Sequence, residues 1–401
     1  MGVVGALLFV AALLISIVLH EAGHMFCARW SGGKVTEFFV GFGPKLWSFV
    51  HGETEYGVKA IPAGGYVKIV GMTDLDEIEP GDEDRALKNK PARKRLLTLS
   101  AGSLMHFLIA LFLFAFVPMA WGIQQNNTSV GVVSACMVQS GTNAGATTGC
   151  TSSQQSPAAA AGLVAGDKIL TVDGKAATDP TTLVNLLHAL PGGKPATITY
   201  TDASGAKRTT TVTPVSSSDV TETSGNTGKG SLIGITLGVD TVHQNPITAV
   251  KTSGTDFWDS IKDTFQGLGS IPASIPKLFT STVDHTQRST SSPVGVVGMA
   301  EVSGTLYQQG GLGSVLLLVA EVNVFVGVFN LLPILPLDGG HIAILLYEEA
   351  RKRVYRLIRR PDPGRVDLNK MMPVAYGFLL FFVCLTVLLV AADVTNPIRL
   401  G

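Results

Sequence analysis

VVGALLFVAALLISIVLHEAGH, residues 3–24, is an uncharged apolar run that ends directly in two histidines and a glutamate. Its first 17 residues carry no charge, and no small-residue cleavage site separates them from His20, so the segment reads as a retained membrane span rather than a signal peptide. On a helix, positions i and i+4 share a face, so His20 and His24 of His20-Glu21-Ala22-Gly23-His24 can reach one metal ion with Glu21 beside it. Two imidazoles and a carboxylate at the edge of hydrocarbon are costly unless compensated, and a bound cation satisfies all three. The alternative reading is a cluster of polar residues snorkelling to the headgroups.

Composition agrees with a membrane setting. The 401 residues hold 30 Lys+Arg against 30 Asp+Glu, and only 15% are charged, well below the roughly 25% of soluble domains. Zero net charge removes any global electrostatic attraction to nucleic acid, and no nucleic-acid partner is expected. Four scattered cysteines, Cys27, Cys136, Cys150 and Cys384, exclude a zinc ribbon and a disulfide-framed miniprotein; Cys27 and Cys384 read as small membrane hydrophobes. Three further spans are expected, at 96–123, 312–337 and 371–393, after a first at 1–28. Residues 29–95 hold 11 Lys+Arg and 338–370 hold 8, whereas the 189 residues of 123–311 hold 10. The two short basic loops are therefore expected in the cytoplasm, with both termini and the long middle segment outside. There an oxidising environment would let Cys136 and Cys150 pair, closing a 15-residue segment and adding roughly 3 kcal/mol by loop entropy.

Within the outer segment, Ser/Thr/Gly-rich stretches at 139–156 and 214–230 flank a denser block. SPAAAAGLVAGDKILTVDGK, 156–175, reads as a short helix, a Gly166-Asp167 turn, a strand and an Asp173-Gly174 hairpin turn. A helix near 180–190 and strands near 196–201 and 208–213 follow. This block, 126–215, resembles a PDZ domain of the bacterial protease-associated type, which implies a peptide ligand added at a sheet edge; an insertion at about 139–155 departs from the pattern. In the remaining outer residues, 216–311, Phe257, Ile261, Phe265 and Leu268 fall at helical spacing opposite Asp256, Asp259 and Asp263. They are expected to form an interfacial amphipathic helix or one packed on the PDZ block.

A catalytic metal needs a third protein ligand and an open position. The third span ends in Asn330-Leu-Leu-Pro333-Ile-Leu-Pro336-Leu-Asp338-Gly339-Gly340. Its prolines free backbone that is tolerated at membrane depth only around a cavity, so Asp338 is the expected third ligand; the alternative is an ordinary Asp-Gly turn. Segment 35–70 alternates apolar and polar residues with glycine punctuation, the pattern of hairpin strands in the first basic loop.

These pieces together resemble the site-2 protease family of intramembrane zinc metalloproteases (M50-like), and within it the actinobacterial enzymes of regulated intramembrane proteolysis with one PDZ domain. The matching runs are Leu19–His24, Gly41-Phe42-Gly43-Pro44, Ile61–Lys68, Ser292-Pro293-Val294-Gly295 and Asn330–Gly340. The resemblance implies one Zn2+ per chain on His20, His24 and Asp338, and Glu21 as the base that activates water. It also implies Asn330 near substrate or intermediate, with Pro333 and Pro336 shaping that segment. Gly41 and Gly43 would turn a re-entrant β-loop whose edge meets substrate, although a cytoplasmic β-subdomain without that role fits the same pattern.

The implied fold is an α-helical polytopic membrane protein with four transmembrane helices, a re-entrant or cytoplasmic β-hairpin region and an inserted extracytoplasmic α+β PDZ domain. It would sit in the plasma membrane with the active site near the cytoplasmic side. The implied substrates are single-pass membrane proteins, such as anti-sigma factors, already cut outside. Rival functions are a zinc transporter, which would need more ligands along a path, and a non-catalytic PDZ scaffold, which would not need Glu21. One departure from the family stands in the second span, where His106 occupies a usual Asn position; by depth it is expected to pair with Glu321. His51 and His341 read as solvated or supporting residues.

Overall fold

The computed structural model describes residues 2–72, 76, 78–139, 155–216, 220–222, 230–284, 288, 292–362 and 364–396. In chain order its elements are α1 (Gly2–Trp30), β1 (Val35–His51), β2 (Thr54–Ile69), α2 (Ala92–Ala120), β3 (Ile123–Val133), β4 (Met137–Gln139), α3 (Pro157–Ala160), β5 (Lys168–Val172), β6 (Lys175–Ala176) and α4 (Pro180–His188). There follow β7 (Ala196–Thr201), β8 (Lys207–Val212), β9 (Val215–Ser216), β10 (Val220–Glu222), β11 (Ser231–Leu232), β12 (Ile235–Val242), α5 (Pro246–Val283), α6 (Val296–Asn330), α7 (Asp338–Leu357) and α8 (Met372–Thr395). The chain divides into two compact units, one of residues 1–121 and 244–400, the other of 122–243.

In the first unit, four helical segments are long and apolar enough to cross a membrane: Gly2–Trp30, Ala92–Ala120, Val296–Asn330 and Leu368–Thr395. Helices α1, α2 and α6 form its core, where Phe9 meets Ala110, Phe114 and Val117 of α2 and Val315, Val319, Ala320 and Val324 of α6. Small residues let the backbones approach, as lipid-embedded helices require. A Cβ on Gly5 would fall 2.6 Å from the Ser303 carbonyl, and one on Gly23 2.8 Å from that of Ala101. Gly311, at φ 67, breaks α6 into two helical runs. The membrane run ends at Asn330, and a turn holding Pro333 and Pro336 leads into α7, whose first residue is Asp338. The expected span 312–337 thus overshoots the helix by seven residues, because a proline ring removes an N–H and clashes with the preceding turn.

Helix α5 turns Phe257, Ile261 and Leu268 onto the core formed by α2 and α6 and leaves Trp258 and Phe265 exposed. The 257–268 stretch therefore packs its apolar face on the membrane helices. Far from α5 in sequence, Asp393 near the end of α8 accepts hydrogen bonds from the backbone N–H groups of Gly295 and Gly298 and pairs with Arg288 at 3.0 Å.

β1 and β2 are long antiparallel strands that curl back on each other. Phe38 faces both Val67 and Tyr56, and Val40 faces both Gly65 and Val58. Gly41 and Gly43, at φ 89 and 85, take the bend in β1. At Gly41 a side chain is also excluded by the Ile61 carbonyl, 2.7 Å from where its Cβ would stand.

The second unit is a six-stranded antiparallel sheet in the order β12-β3-β5-β7-β8, with β6 beside β5. Its core includes Val130, Leu163, Ile169, Leu183, Leu187, Ile198, Val212 and Ile233. Both short helices begin with a side-chain cap and a proline in the first turn: Ser156 Oγ accepts from Ala159 N–H, and Asp179 Oδ1 accepts from Thr182 N–H. β12 lies beyond the block read from the sequence, yet it pairs with β3 from Ile235–Val133 to Val242–Ile123. Cys136 bridges Gln155; Cys150, its expected partner, and most of the expected insertion at 139–155 lie outside the described residues.

Candidate metal centre

α1 carries Ser16, His20 and His24 one turn apart, all buried on the face that meets α2 and α6. His24 Nδ1 lies 2.7 Å from the Thr98 carbonyl of α2. A carbonyl only accepts, so Nδ1 carries the proton and the Nε2 lone pair is left free. That Nε2 is 3.2 Å from Nε2 of His20 and 3.2 Å from Oδ2 of Asp338, and His20 Nε2 is 3.5 Å from the same oxygen. Asp338 Oδ2 is buried without a hydrogen-bond partner.

Electron-pair donors converging on one buried point repel one another unless a cation lies among them. A tetrahedral zinc ion bound at about 2.0–2.1 Å to each donor would separate them by about 3.3–3.4 Å, in agreement with the three spacings. Among the described residues, His20, His24 and Asp338 form the group suited to a metal. Two nitrogens and one carboxylate oxygen make a set that zinc accepts, with a fourth position left for water or substrate.

Backbone approach places the three donor side chains. A Cβ on Gly102 of α2 would stand 2.3 Å from Cε1 of His20 and 2.4 Å from Nε2 of His24, so only glycine admits both rings here. The N-terminus of α7 is pressed against the preceding turn, where a Cβ on Gly339 would meet the Leu331 and Leu332 carbonyls at 2.3 Å. That contact sets where Asp338 enters.

Glu21 follows His20 and turns toward β2. A Cβ on Gly65 of that strand would lie 3.4 Å from the Glu21 Cγ. The last segment of β2 therefore runs beside the glutamate. Along that strand the Tyr66 hydroxyl donates to Glu37 at 2.5 Å and accepts from Lys59 at 2.8 Å. Burial first, then the Glu37 carboxylate, push the Tyr66 hydroxyl up to about 12, so it keeps its proton.

Other residues singled out in the sequence sit as follows. Asn330 is the last residue of α6, half-buried, with no hydrogen bond to its carboxamide among the described residues. Pro333 lines an apolar cavity with Ile334, Tyr347, Met371 and Phe378, and Pro336 follows it in the same turn. Gly41 and Gly43 lie at the β1 bend and are not among the metal-ligand group. His106 does not pair with Glu321. Its Nδ1 is 2.7 Å from Asn323 Oδ1, while Glu321 accepts from Ser260 of α5. Residues 321 and 323 differ by about 200° around the helix, so only one of them can face α2. Thr98, Gly102, Asn323 and Ser16 belong to this site without being singled out by any motif. Asn323 alone gave a signal, as a lone amide inside an apolar span.

Residues 8–359 match the profile described as Peptidase family M50. The chain is 32% identical over 416 residues to the zinc metalloprotease Rip1 of Mycobacterium tuberculosis, covering 100% of this chain and 99% of that one. It is 34% identical over 413 residues to Rip1 of Mycolicibacterium smegmatis, covering 99% and 98%. With the metalloprotease MmpA of Caulobacter vibrioides it shares 30% identity over 406 residues, covering 94% and 93%. With four helices apolar and long enough to span a bilayer, the chain is a multi-pass membrane protein that belongs to peptidase family M50.

Proposed function

We propose that the chain is a zinc-dependent endopeptidase that cuts single-pass membrane proteins within or at the edge of the bilayer. The observation that carries this reading is the convergence of His20 Nε2, His24 Nε2 and Asp338 Oδ2 within 3.5 Å of one another, at the end of an apolar helix and beside Glu21. Zinc held there would lower the pKa of a bound water to about 7 and polarise a carbonyl. Glu21 takes the proton of the attacking water and returns it to the leaving amine. The carboxamide of Asn330, unengaged in this structure, donates to the developing oxyanion. Thr98 keeps His24 in the tautomer that presents Nε2.

A helical substrate must unwind before its carbonyl reaches the site, and it then needs partners for the hydrogen bonds it loses. The β2 segment beside Glu21 offers a strand edge for that purpose, with Gly41 and Gly43 shaping the bend that presents it. The excess of Lys+Arg in 29–95 and 338–370 favours a cytoplasmic location for this side, with both termini and residues 122–243 outside. The outer unit is read as a PDZ domain whose peptide would add to the free edge of β12. A groove lined by Leu187, His188, Leu232, Ile233, Ile235 and Leu237 runs along that edge. The expected substrates are anti-sigma-type proteins already trimmed outside, and Cys136 with Cys150 would brace the outer unit.

The test is incubation of the detergent-purified chain with a single-span protein lacking most of its outer domain, with products mapped by mass spectrometry. Cleavage within the apolar segment, abolished by a zinc chelator and restored by zinc, is the expected result. Metal binding with no cleavage of any trimmed single-span protein would favour transport or a purely scaffolding role.

A further inference from the structure

One turn beyond the metal ligands lies a second buried polar layer, which joins α1, α2 and α6. His106 of α2 is 2% exposed, Asn323 of α6 1% and Ser16 of α1 2%. The Asn323 amide nitrogen donates to the Val319 carbonyl at 2.7 Å and to Ser16 Oγ at 3.1 Å. Its orientation is thereby fixed, and Oδ1 is the atom that faces His106 Nδ1 at 2.7 Å. Because Oδ1 only accepts, Nδ1 of His106 carries the proton and its ring has one orientation.

That ring packs on a ligand. The centroids of His106 and His20 are 4.9 Å apart, and His24 lies on His20 at 4.8 Å. Ser16 precedes His20 by one turn of α1, and His106 follows Gly102, which touches both ligand rings, by one turn of α2. His106 itself is outside the group of converging donor atoms. A polar cluster meant only to join helices has no need to meet the ligands. The Ser260–Glu321 contact between α5 and α6 is an example that does not.

We propose that His106, locked by Asn323 and Ser16, is a positioning residue that fixes the ring of His20 and so sets the affinity and geometry of the metal site. Outer partners of metal-binding imidazoles typically contribute 10–100-fold to affinity. The inference rests on the metal reading above, and its test separates the two.

The full chain in detergent is stripped of metal, reloaded with zinc against a competing chelator, and separately loaded with cobalt(II) for its visible spectrum. Wild type, His106→Ala, Asn323→Leu, Ser16→Ala and Glu321→Gln are compared. The expected result is a 10–100-fold loss of zinc affinity with shifted cobalt bands in His106→Ala and Asn323→Leu. Ser16→Ala should lose a few-fold, and Glu321→Gln should keep wild-type affinity and spectrum even if it melts earlier. Wild-type affinity and spectrum in both His106→Ala and Asn323→Leu would overturn the proposal, as would an equal loss in Glu321→Gln. If those two variants do not fold, Ser16→Ala decides by the same readouts, because it leaves every ring in place. A wild-type chain that binds no zinc would instead overturn the metal reading itself.

Discussion

Gly102 abuts His20 so closely that the Cβ it lacks would lie 2.3 Å from the ring carbon Cε1. No rotamer change of a flexible side chain can relieve that contact, because the rings of His20 and His24 are themselves held between helices. Gly102→Ala is therefore expected to abolish metal binding while leaving the helical content unchanged. Metal analysis of the purified variant beside its circular dichroism checks this; a full complement of metal would contradict it.

Asp338 depends in the same way on a backbone contact. Gly339→Ala would drive a methyl group into the Leu331 and Leu332 carbonyls, tilting the first turn of α7 and withdrawing the carboxylate. A drop in metal affinity of at least tenfold is expected, with less effect on melting than on metal.

Arg288 and Asp393 form a buried ion pair, with side chains 0% and 1% exposed. Removing one partner of such a pair typically costs about 3–5 kcal/mol, because the other charge is left uncompensated. Arg288→Ala and Asp393→Ala should each lower the melting temperature strongly. The double variant should lose clearly less than the sum, which a double-mutant cycle measures. Additive losses would mean that the two charges do not stabilise each other.

In the second unit, residues 122–243, the Ser204 hydroxyl, and then the Arg208 guanidinium, hold the Asp202 carboxyl well below the usual carboxylate range. A depressed folded-state pKa contributes stability above the unfolded value, near 4, and loses it as pH falls through the folded value. Hydrogen exchange of the full chain should therefore report opening of the 201–207 turn in strong acid, and Asp202→Asn should remove that pH dependence. An acid opening that persists in the variant would place its cause elsewhere.

The candidate metal site is legible where its chemistry follows from local geometry. His20 and His24 share a face because of the 3.6-residue period alone, and the prolines after Asn330 announce a break. What the sequence hid depends on distant packing. The pattern predicts a third span over 312–337, whereas the helix ends at Asn330 and Asp338 opens a new one whose first turn is pressed against the Leu331 and Leu332 carbonyls. Depth alone pairs His106 with Glu321, but depth does not give rotation, and Asn323, two positions on, faces it instead. Likewise β12 joins β3 across about a hundred residues, a pairing that no local pattern encodes.

The central claim is that three ligands hold zinc and that Glu21 moves the proton. Glu21→Gln keeps the size of the side chain and removes the base. Metal content and cleavage of a trimmed single-span protein, measured side by side in wild type and Glu21→Gln, test it most directly. The account predicts about one zinc per chain in both and a fall in cleavage rate of at least about 10²–10⁴-fold in the variant. Cleavage by Glu21→Gln at the wild-type rate would contradict it.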